Sequence, residues 1–128
     1  MALKIETFSN AKGGDSFFKA IGHPLAQAPI RTLIEELRAN GPTAIYDPLG
    51  TATSFAEIHP LSGIKIAGVF VQNVAELGKT VFGHAAQPVT DLAASAARRV
   101  FVPCFDAERI VAHIRHLLPA NAEIATLD

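Results

Sequence analysis

The segment at residues 64–71 constrains the fold of this chain more than any other. Its sequence is Ile-Lys-Ile-Ala-Gly-Val-Phe-Val, almost continuously apolar and rich in β-branched side chains. A strand with one face in water alternates apolar and polar residues, whereas a strand covered on both faces stays apolar along its length. The segment therefore predicts an inner strand of a parallel sheet with helices packed on both sides.

Strand-like and helix-like segments alternate from residue 43 onward. Such alternation predicts parallel strands joined by helical crossovers. We therefore expect an α/β domain of three layers, with a mainly parallel sheet of four to five strands. The expected strands, in their expected spatial order, are residues 64–71, 44–47, 99–104 and 122–127, with residues 3–8 added at an edge. The expected helices are residues 16–21, 24–40, 51–58, 89–97 and 107–118, and residues 9–15 are expected to form a loop.

Length and composition favour one domain, with residues 1–23 as an N-terminal strand and loop extension and residues 24–128 as the core. The sequence has no apolar run of about 18 residues, which predicts no membrane span, and its start lacks the features of a signal peptide. A net charge of −1 without a basic stripe argues against nucleic-acid binding. We therefore expect a cytoplasmic protein. The single cysteine, Cys104, excludes an internal disulfide.

The expected strand order reverses between the strands at residues 44–47 and 99–104. Ligands of open α/β sheets bind at the carboxyl ends of the strands beside such a switch point. We therefore expect any ligand or partner to meet the loop at residues 47–53. The candidate ligand-binding residues are Asp47, Gly50, Thr51, Thr53, Asn73 and His23. We assign no catalytic residue and no metal ligand.

The loop that follows residues 44–46 lacks the glycines of a dinucleotide-binding fingerprint. In that fingerprint, G-x-G-x-x-G, glycine permits a tight turn and lets the backbone approach a pyrophosphate. Here the three glycine positions hold Asp47, Leu49 and Ala52, and the carboxylate of Asp47 would repel a phosphate. We therefore expect no cofactor, and weak or no binding of NAD and NADP.

Several short motifs follow one another in a fixed order along the chain. Ile45-Tyr46 precedes the loop, and residues 66–73 are Ile-Ala-Gly-Val-Phe-Val-Gln-Asn. Later come Leu-Gly-Lys-Thr-Val-Phe-Gly at residues 77–83, Gln-Pro-Val at residues 87–89 and Arg-Val-Phe-Val-Pro at residues 99–103. Over residues 29–128 the chain resembles the Rossmann-like sugar-nucleotide-associated domains attached to FkbM-type methyltransferases, sugar O-acyltransferases and polysaccharide-biosynthesis dehydratases. The resemblance implies a Rossmann-like fold and a role near sugar or cell-surface polysaccharide biosynthesis.

Other reactive side chains have a structural interpretation that we favour. Cys104, between a strand and a helix, suits a nucleophile, but a cysteine there is more often buried packing. His113 and His116 lie three residues apart on one helix and could share a metal. We favour exposed positions near the C-terminal end of the helix, where a cation is favourable, and no carboxylate or thiolate recurs near them at the spacing of metal ligands. His23, in a Gly-His-Pro loop, is either functional or a helix cap.

The sequence leaves three functions open. We expect a non-catalytic Rossmann-like binding or accessory protein, linked to sugar or cell-surface polysaccharide biosynthesis, rather than an enzyme. One alternative is the nucleotide or nucleotide-sugar binding domain of an enzyme system, with Thr51 and Thr53 replacing glycine backbone. The other is an oligomeric protein-interaction module without a ligand, such as a homo-oligomer. Micromolar binding of a nucleotide would separate the first alternative from the other two functions.

Overall fold

A computed structural model describes residues 13–127, and it describes side chains from residue 17 onward. Its α-helices are α1 (Gly13–Ile21), α2 (Pro24–Asn40), α3 (Ala52–Ile58) and α4 (Ala107–Ile114). Short 3-10 helices lie at Val74–Glu76, Val89–Ala94 and Arg115–Leu117. Its strands are β1 (Thr43–Tyr46), β2 (Ile66–Val71), β3 (Thr80–Val81), β4 (His84–Ala85), β5 (Gln87–Pro88), β6 (Arg99–Val102) and β7 (Glu123–Thr126).

Five strands form one sheet in the order β5-β2-β1-β6-β7, and every neighbouring pair in it is parallel. The predicted order of β2, β1, β6 and β7 is confirmed, and the order reverses between β1 and β6 as expected. Edge strand β5 was not predicted, because two residues that end in proline carry no periodic pattern. The predicted strand at residues 3–8 lies outside the described residues.

Alternate side chains of the inner strands enter two cores on opposite faces of the sheet. On one face, Ile45, Val69 and Phe101 pack with helices α1, α2 and α3. On the other, Phe70 and Val100 pack with α4 and with the 3-10 helix at residues 89–94. Helices therefore cover both faces, as the apolar strand at residues 64–71 predicts, and the fold is a three-layer Rossmann-like α/β fold.

Helix α2 spans the predicted residues and continues through Pro29. A proline inside a helix removes one backbone hydrogen bond, and Pro29 lies on the exposed side, where water can replace that bond. Leu25 belongs to the exposed side too, while Ala26 is the buried residue of the first turn. Within residues 13–127, no helix combines the length and the apolar character needed to cross a membrane.

Helix α1 begins at Gly13, so the prediction of a loop through residue 15 is wrong for residues 13–15. The rest of that loop lies outside the described residues. Phe17 and Ile21 of α1 are buried against the sheet. Apolar residues at positions 17 and 21 occupy one face of a helix, and both lie within the predicted helix at residues 16–21.

The crossover between β2 and β6 contains a small hairpin that the sequence does not predict. Strands β3 and β4 are antiparallel, and the turn between them is Phe82-Gly83. Both turn residues have positive φ, 52° and 80°, which is the geometry of a two-residue hairpin turn. The predicted helix at residues 89–97 is a 3-10 helix limited to residues 89–94.

Candidate functional site

Asp47 follows β1 at the carboxyl edge of the sheet, and its carboxylate is bonded to the loop that it begins. Its Oδ1 accepts hydrogen bonds from the backbone N–H groups of Thr51, at 2.8 Å, and Ala52, at 3.1 Å. These groups stand at the start of α3, where backbone donors have no partner within the helix. The chain turns back through Gly50, whose φ of 72° glycine adopts without strain. Asp47 therefore caps α3 from outside the helix.

The backbone donors bonded to Asp47 are the ones that a dinucleotide-binding loop offers to phosphate. In this chain the loop supplies its own anion to them. A phosphate at the same place would have to displace a covalently tethered carboxylate or lie beside its negative charge. The geometry therefore gives a physical reason to expect weak nucleotide binding, in addition to the missing glycines.

Burial sets the protonation behaviour of Asp47. Burial raises the pKa of the carboxyl group, and the negative charge of Glu76 raises it further. Hydrogen bonds from the backbone of Ala52, Thr51 and Gly50 lower this pKa, but the net pKa stays above the ordinary value for aspartate. Glu76 belongs to the loop after β2, which leaves the same edge of the sheet as the loop after β1 because the two strands are parallel neighbours.

Thr51 joins the two loops that flank the switch point. Its hydroxyl donates a hydrogen bond of 2.6 Å to the carbonyl oxygen of Pro103, directly after β6. This bond crosses the place where the sequence predicts a crevice between β1 and β6. Thr51 makes no capping bond to α3 through its side chain, because Asp47 already caps that helix. Thr53 is exposed on the first turn of α3.

Tyr46, Gln72 and Cys104 come together at the same edge, on the face covered by α4. The Tyr46 hydroxyl donates a hydrogen bond of 2.8 Å to Oε1 of Gln72. Burial raises the pKa of Tyr46, and the neighbouring Cys104 raises it further. Cys104 itself is buried, in agreement with the structural interpretation. The carboxyl ends of β1 and β2 are thus linked by the bond between Tyr46 and Gln72, and those of β1 and β6 by the bond between Thr51 and Pro103.

Asn73 and His23 each cap a helix. Oδ1 of Asn73 accepts the N–H of Ala75 at 2.9 Å, at the start of the 3-10 helix at residues 74–76. Nδ1 of His23 accepts the N–H of Leu25 at 3.1 Å, at the start of α2. The structure brings Asn73 to the same edge as Asp47, Gly50 and Thr51. His23 is engaged by its own helix, which is one of the two roles the sequence leaves open.

His59 is a buried residue that sequence reasoning does not single out. Its ring lies 5.4 Å from that of Phe55, and its Nε2 donates a hydrogen bond of 2.8 Å to the carbonyl of Ile21. It thereby ties the end of α3 to the end of α1. His113 and His116 are exposed, as predicted. Within residues 13–127, His, Cys, Asp and Glu side chains form no group of three or more that could hold a metal ion.

Exposed apolar side chains flank the Asp47 loop. Leu49, in the loop after β1, is 62% exposed, and Val74 and Leu77, in the loop after β2, are 79% and 40% exposed. Strands β1 and β2 are parallel neighbours with Tyr46 opposite Phe70, so both loops leave the same edge of the sheet. We call Leu49, Val74 and Leu77 the carboxyl-edge patch. The sequence does not reveal it, because its members share no periodic face.

At this edge the polar residues already make hydrogen bonds within the chain, whereas the apolar residues are exposed. Asp47 and Thr51 are bonded within the loops, and Tyr46 is bonded to Gln72. The carboxyl-edge patch remains in contact with water. The arrangement suits contact with another apolar surface better than phosphate binding or proton transfer. A scan against protein-family models and a search of the curated proteins both find no match for the chain.

Proposed function

We propose that this protein is a non-catalytic Rossmann-like binding or accessory protein that acts through protein contact at the carboxyl edge of its sheet. One observation carries the proposal: the Asp47 carboxylate is bonded to the backbone N–H groups of Thr51 and Ala52. A nucleotide-dependent enzyme of this fold uses the corresponding groups to hold phosphate. Because these N–H groups are already bonded within the chain, they favour a role that needs no nucleotide.

The carboxyl-edge patch supports a protein as the partner. Single exposed apolar side chains are normal on protein surfaces, whereas a group of them at one place marks an interaction site. Leu49, Val74 and Leu77 lie on neighbouring loops at the edge where ligands of this fold bind. A role beside enzymes of sugar or cell-surface polysaccharide biosynthesis rests on the motif resemblance over residues 29–128, and the cytoplasmic location rests on the composition of the sequence.

A second candidate function is binding of a nucleotide sugar through its hydroxyl groups. Gln72 and Asn73 are exposed amide side chains at the end of β2, where proteins of this fold bind ribose with an acidic residue. Amides donate and accept hydrogen bonds with hydroxyl groups. This mode needs no phosphate contact at Asp47.

A titration followed by nuclear magnetic resonance decides between the two functions. The probes are NAD, ATP and UDP-glucose, added separately to the labelled full-length chain. The proposed function predicts no saturable shift of the Thr51, Ala52 and Asn73 amides. Thermal unfolding is the matched control, because a ligand at 100 times its Kd adds about 2.7 kcal/mol to stability. Micromolar binding of any probe with shifts at these amides would contradict the proposal.

A further inference from the structure

We propose that the carboxyl-edge patch is a self-association surface, and that the same patch of a second copy of this chain covers it. The inference rests on the proposed function, because it names the protein partner at that edge. It is carried by the exposure of the patch, by the bonding of its loops and by the pattern of charge around it.

The patch belongs to loops that are already ordered by hydrogen bonds. Asn73 caps the 3-10 helix that carries Val74, and the N–H of Leu77 donates to the carbonyl of Val74 at 3.2 Å. The N–H of Gly78 then donates to the carbonyl of Ala86 at 2.9 Å. Ordered loops lose little conformational entropy on association. The exposed apolar side chains are therefore presented in a form that a partner surface can match.

An acidic and a basic residue beside the patch can pair with the same two residues of a second copy. Glu76 and Lys79 lie 3.2 Å apart in the same loop, and both side chains are substantially exposed. In a two-fold interface the same surface meets itself, so residue i contacts residue j and residue j contacts residue i. Glu76 of each copy can then face Lys79 of the other. A partner of one charge sign would be attracted by one of these residues and repelled by the other. The pair therefore favours a partner surface that carries an acid and a base side by side, as a second copy of this loop does.

The size of the surface predicts a weak dimer. A standard stable interface uses roughly 20–30 residues a side, and the two loops at residues 47–51 and 72–79 supply fewer than that. We therefore expect association that depends on protein concentration and exchanges with the monomer. Burial of Val74 and Leu77 supplies the apolar centre, and the Glu76–Lys79 pairs set the orientation.

Sedimentation equilibrium over a range of protein concentrations tests the apolar centre. We expect the wild-type chain to dimerise and Val74→Asp to raise the dimer Kd at least about tenfold, since it places a charge in the centre of the interface. Ala120→Asp is the matched control, because Ala120 is also an exposed apolar residue but lies just before β7, at the opposite edge of the parallel sheet. It should change the dimer Kd by less than about twofold. The urea midpoint of each variant shows that the fold is retained.

Exchanging the charges tests the two-fold arrangement. Glu76→Lys alone and Lys79→Glu alone should each weaken self-association, since like charges then face each other across the axis. An equimolar mixture of these two variants should associate at least as strongly as the wild type, because one chain offers two bases and the other two acids. A merely structural role of either residue would not produce recovery on mixing.

A wild-type monomer at every concentration up to its solubility limit would overturn the inference and leave the edge to a different protein. A dimer that Val74→Asp leaves intact, or a mixture no stronger than the single variants, would overturn it too. None of these outcomes depends on nucleotides. The nucleotide titration therefore tests the proposed function separately.

Discussion

Oδ1 of Asp47 lies 2.8 Å from the backbone nitrogen of Thr51, four residues further along the chain. The same oxygen lies 3.1 Å from the nitrogen of Ala52, so one carboxylate satisfies the first donors of α3. The loop that receives a phosphate in a dinucleotide-binding domain is closed on itself here. Asp47 consequently has a structural role at this edge, and apolar side chains are exposed on the loops beside it.

Removing this cap should destabilise the protein. Asp47→Ala leaves two N–H groups without their acceptor, and loss of a helix cap costs about 0.5–2 kcal/mol. Asp47→Asn should retain most of the stability, because the amide oxygen can accept the same bonds. Urea unfolding measures both variants, with Glu57→Ala, at an exposed position on α3, as the control. If Asp47→Ala unfolds at the wild-type urea concentration, the two bonds contribute nothing to stability.

The raised pKa of Asp47 predicts a pH dependence of definite sign. A raised pKa means that the folded state holds the proton more tightly than the unfolded chain does. The stabilisation from that proton is complete below the unfolded pKa, near 3.9, and is lost as the pH rises through the folded pKa. Asp47→Asn lacks this titration, so its stability relative to the wild type should increase as the pH rises through that interval. Urea unfolding at a series of pH values measures this difference, and the opposite trend would mean that the hydrogen bonds outweigh burial.

Two valines, one in the core and one in the carboxyl-edge patch, should respond differently to truncation. Val69 is fully buried in β2, whereas Val74 is largely exposed in the loop that follows. We expect Val69→Ala to cost about 1–3 kcal/mol, from lost burial and the cavity left behind. Val74→Ala should change stability by less than about 0.5 kcal/mol, as surface substitutions do. Urea unfolding of a dilute sample, in which the monomer dominates, compares the two, and equal losses would show that Val74 is packed as well.

The strand order follows from the sequence because long apolar segments and helical crossovers restrict the topology strongly. The apolar segment at residues 64–71 predicts an inner strand, since both of its faces need cover, and it contains β2 at Ile66–Val71. Strands β3, β4 and β5 have two residues each, too few for any periodic pattern. The positions of β3 and β4 depend on the Phe82-Gly83 turn that joins them, and that of β5 depends on its pairing with β2, a tertiary contact.

The position of the candidate site could be predicted, but its bonding could not. Topology places Asp47 at the switch point, whereas a carboxylate that caps a helix from four and five residues upstream has no standard sequence spacing. The bond from Thr51 to Pro103 joins residues 52 positions apart, so no local pattern contains it. The carboxyl-edge patch likewise arises only when β1 and β2 bring two separate loops together.

Gly68, in β2, has little room for a side chain. A Cβ at Gly68 would lie 3.0 Å from Cε2 and 3.1 Å from Cζ of Phe70. Phe70 is only 1% exposed and packs in the core beneath α4, so its ring cannot move aside into water. We expect Gly68→Ala to cost about 1–3 kcal/mol in unfolding free energy, as overpacking of a core does. Chemical unfolding of the variant and the wild type measures this loss.

The crowding between these two residues can be tested by removing the ring. Phe70→Leu alone should be destabilising, because it leaves a cavity in the core. It also removes the two ring atoms that a methyl group at residue 68 would meet, so Gly68→Ala should cost less in its presence. The double variant should therefore be more stable than the sum of the two single losses predicts, by about 0.5–3 kcal/mol, the range seen for residues in contact. A double-mutant cycle on unfolding free energies measures this coupling. Simple addition of the two losses would mean that the Phe70 ring does not set the requirement for glycine at residue 68.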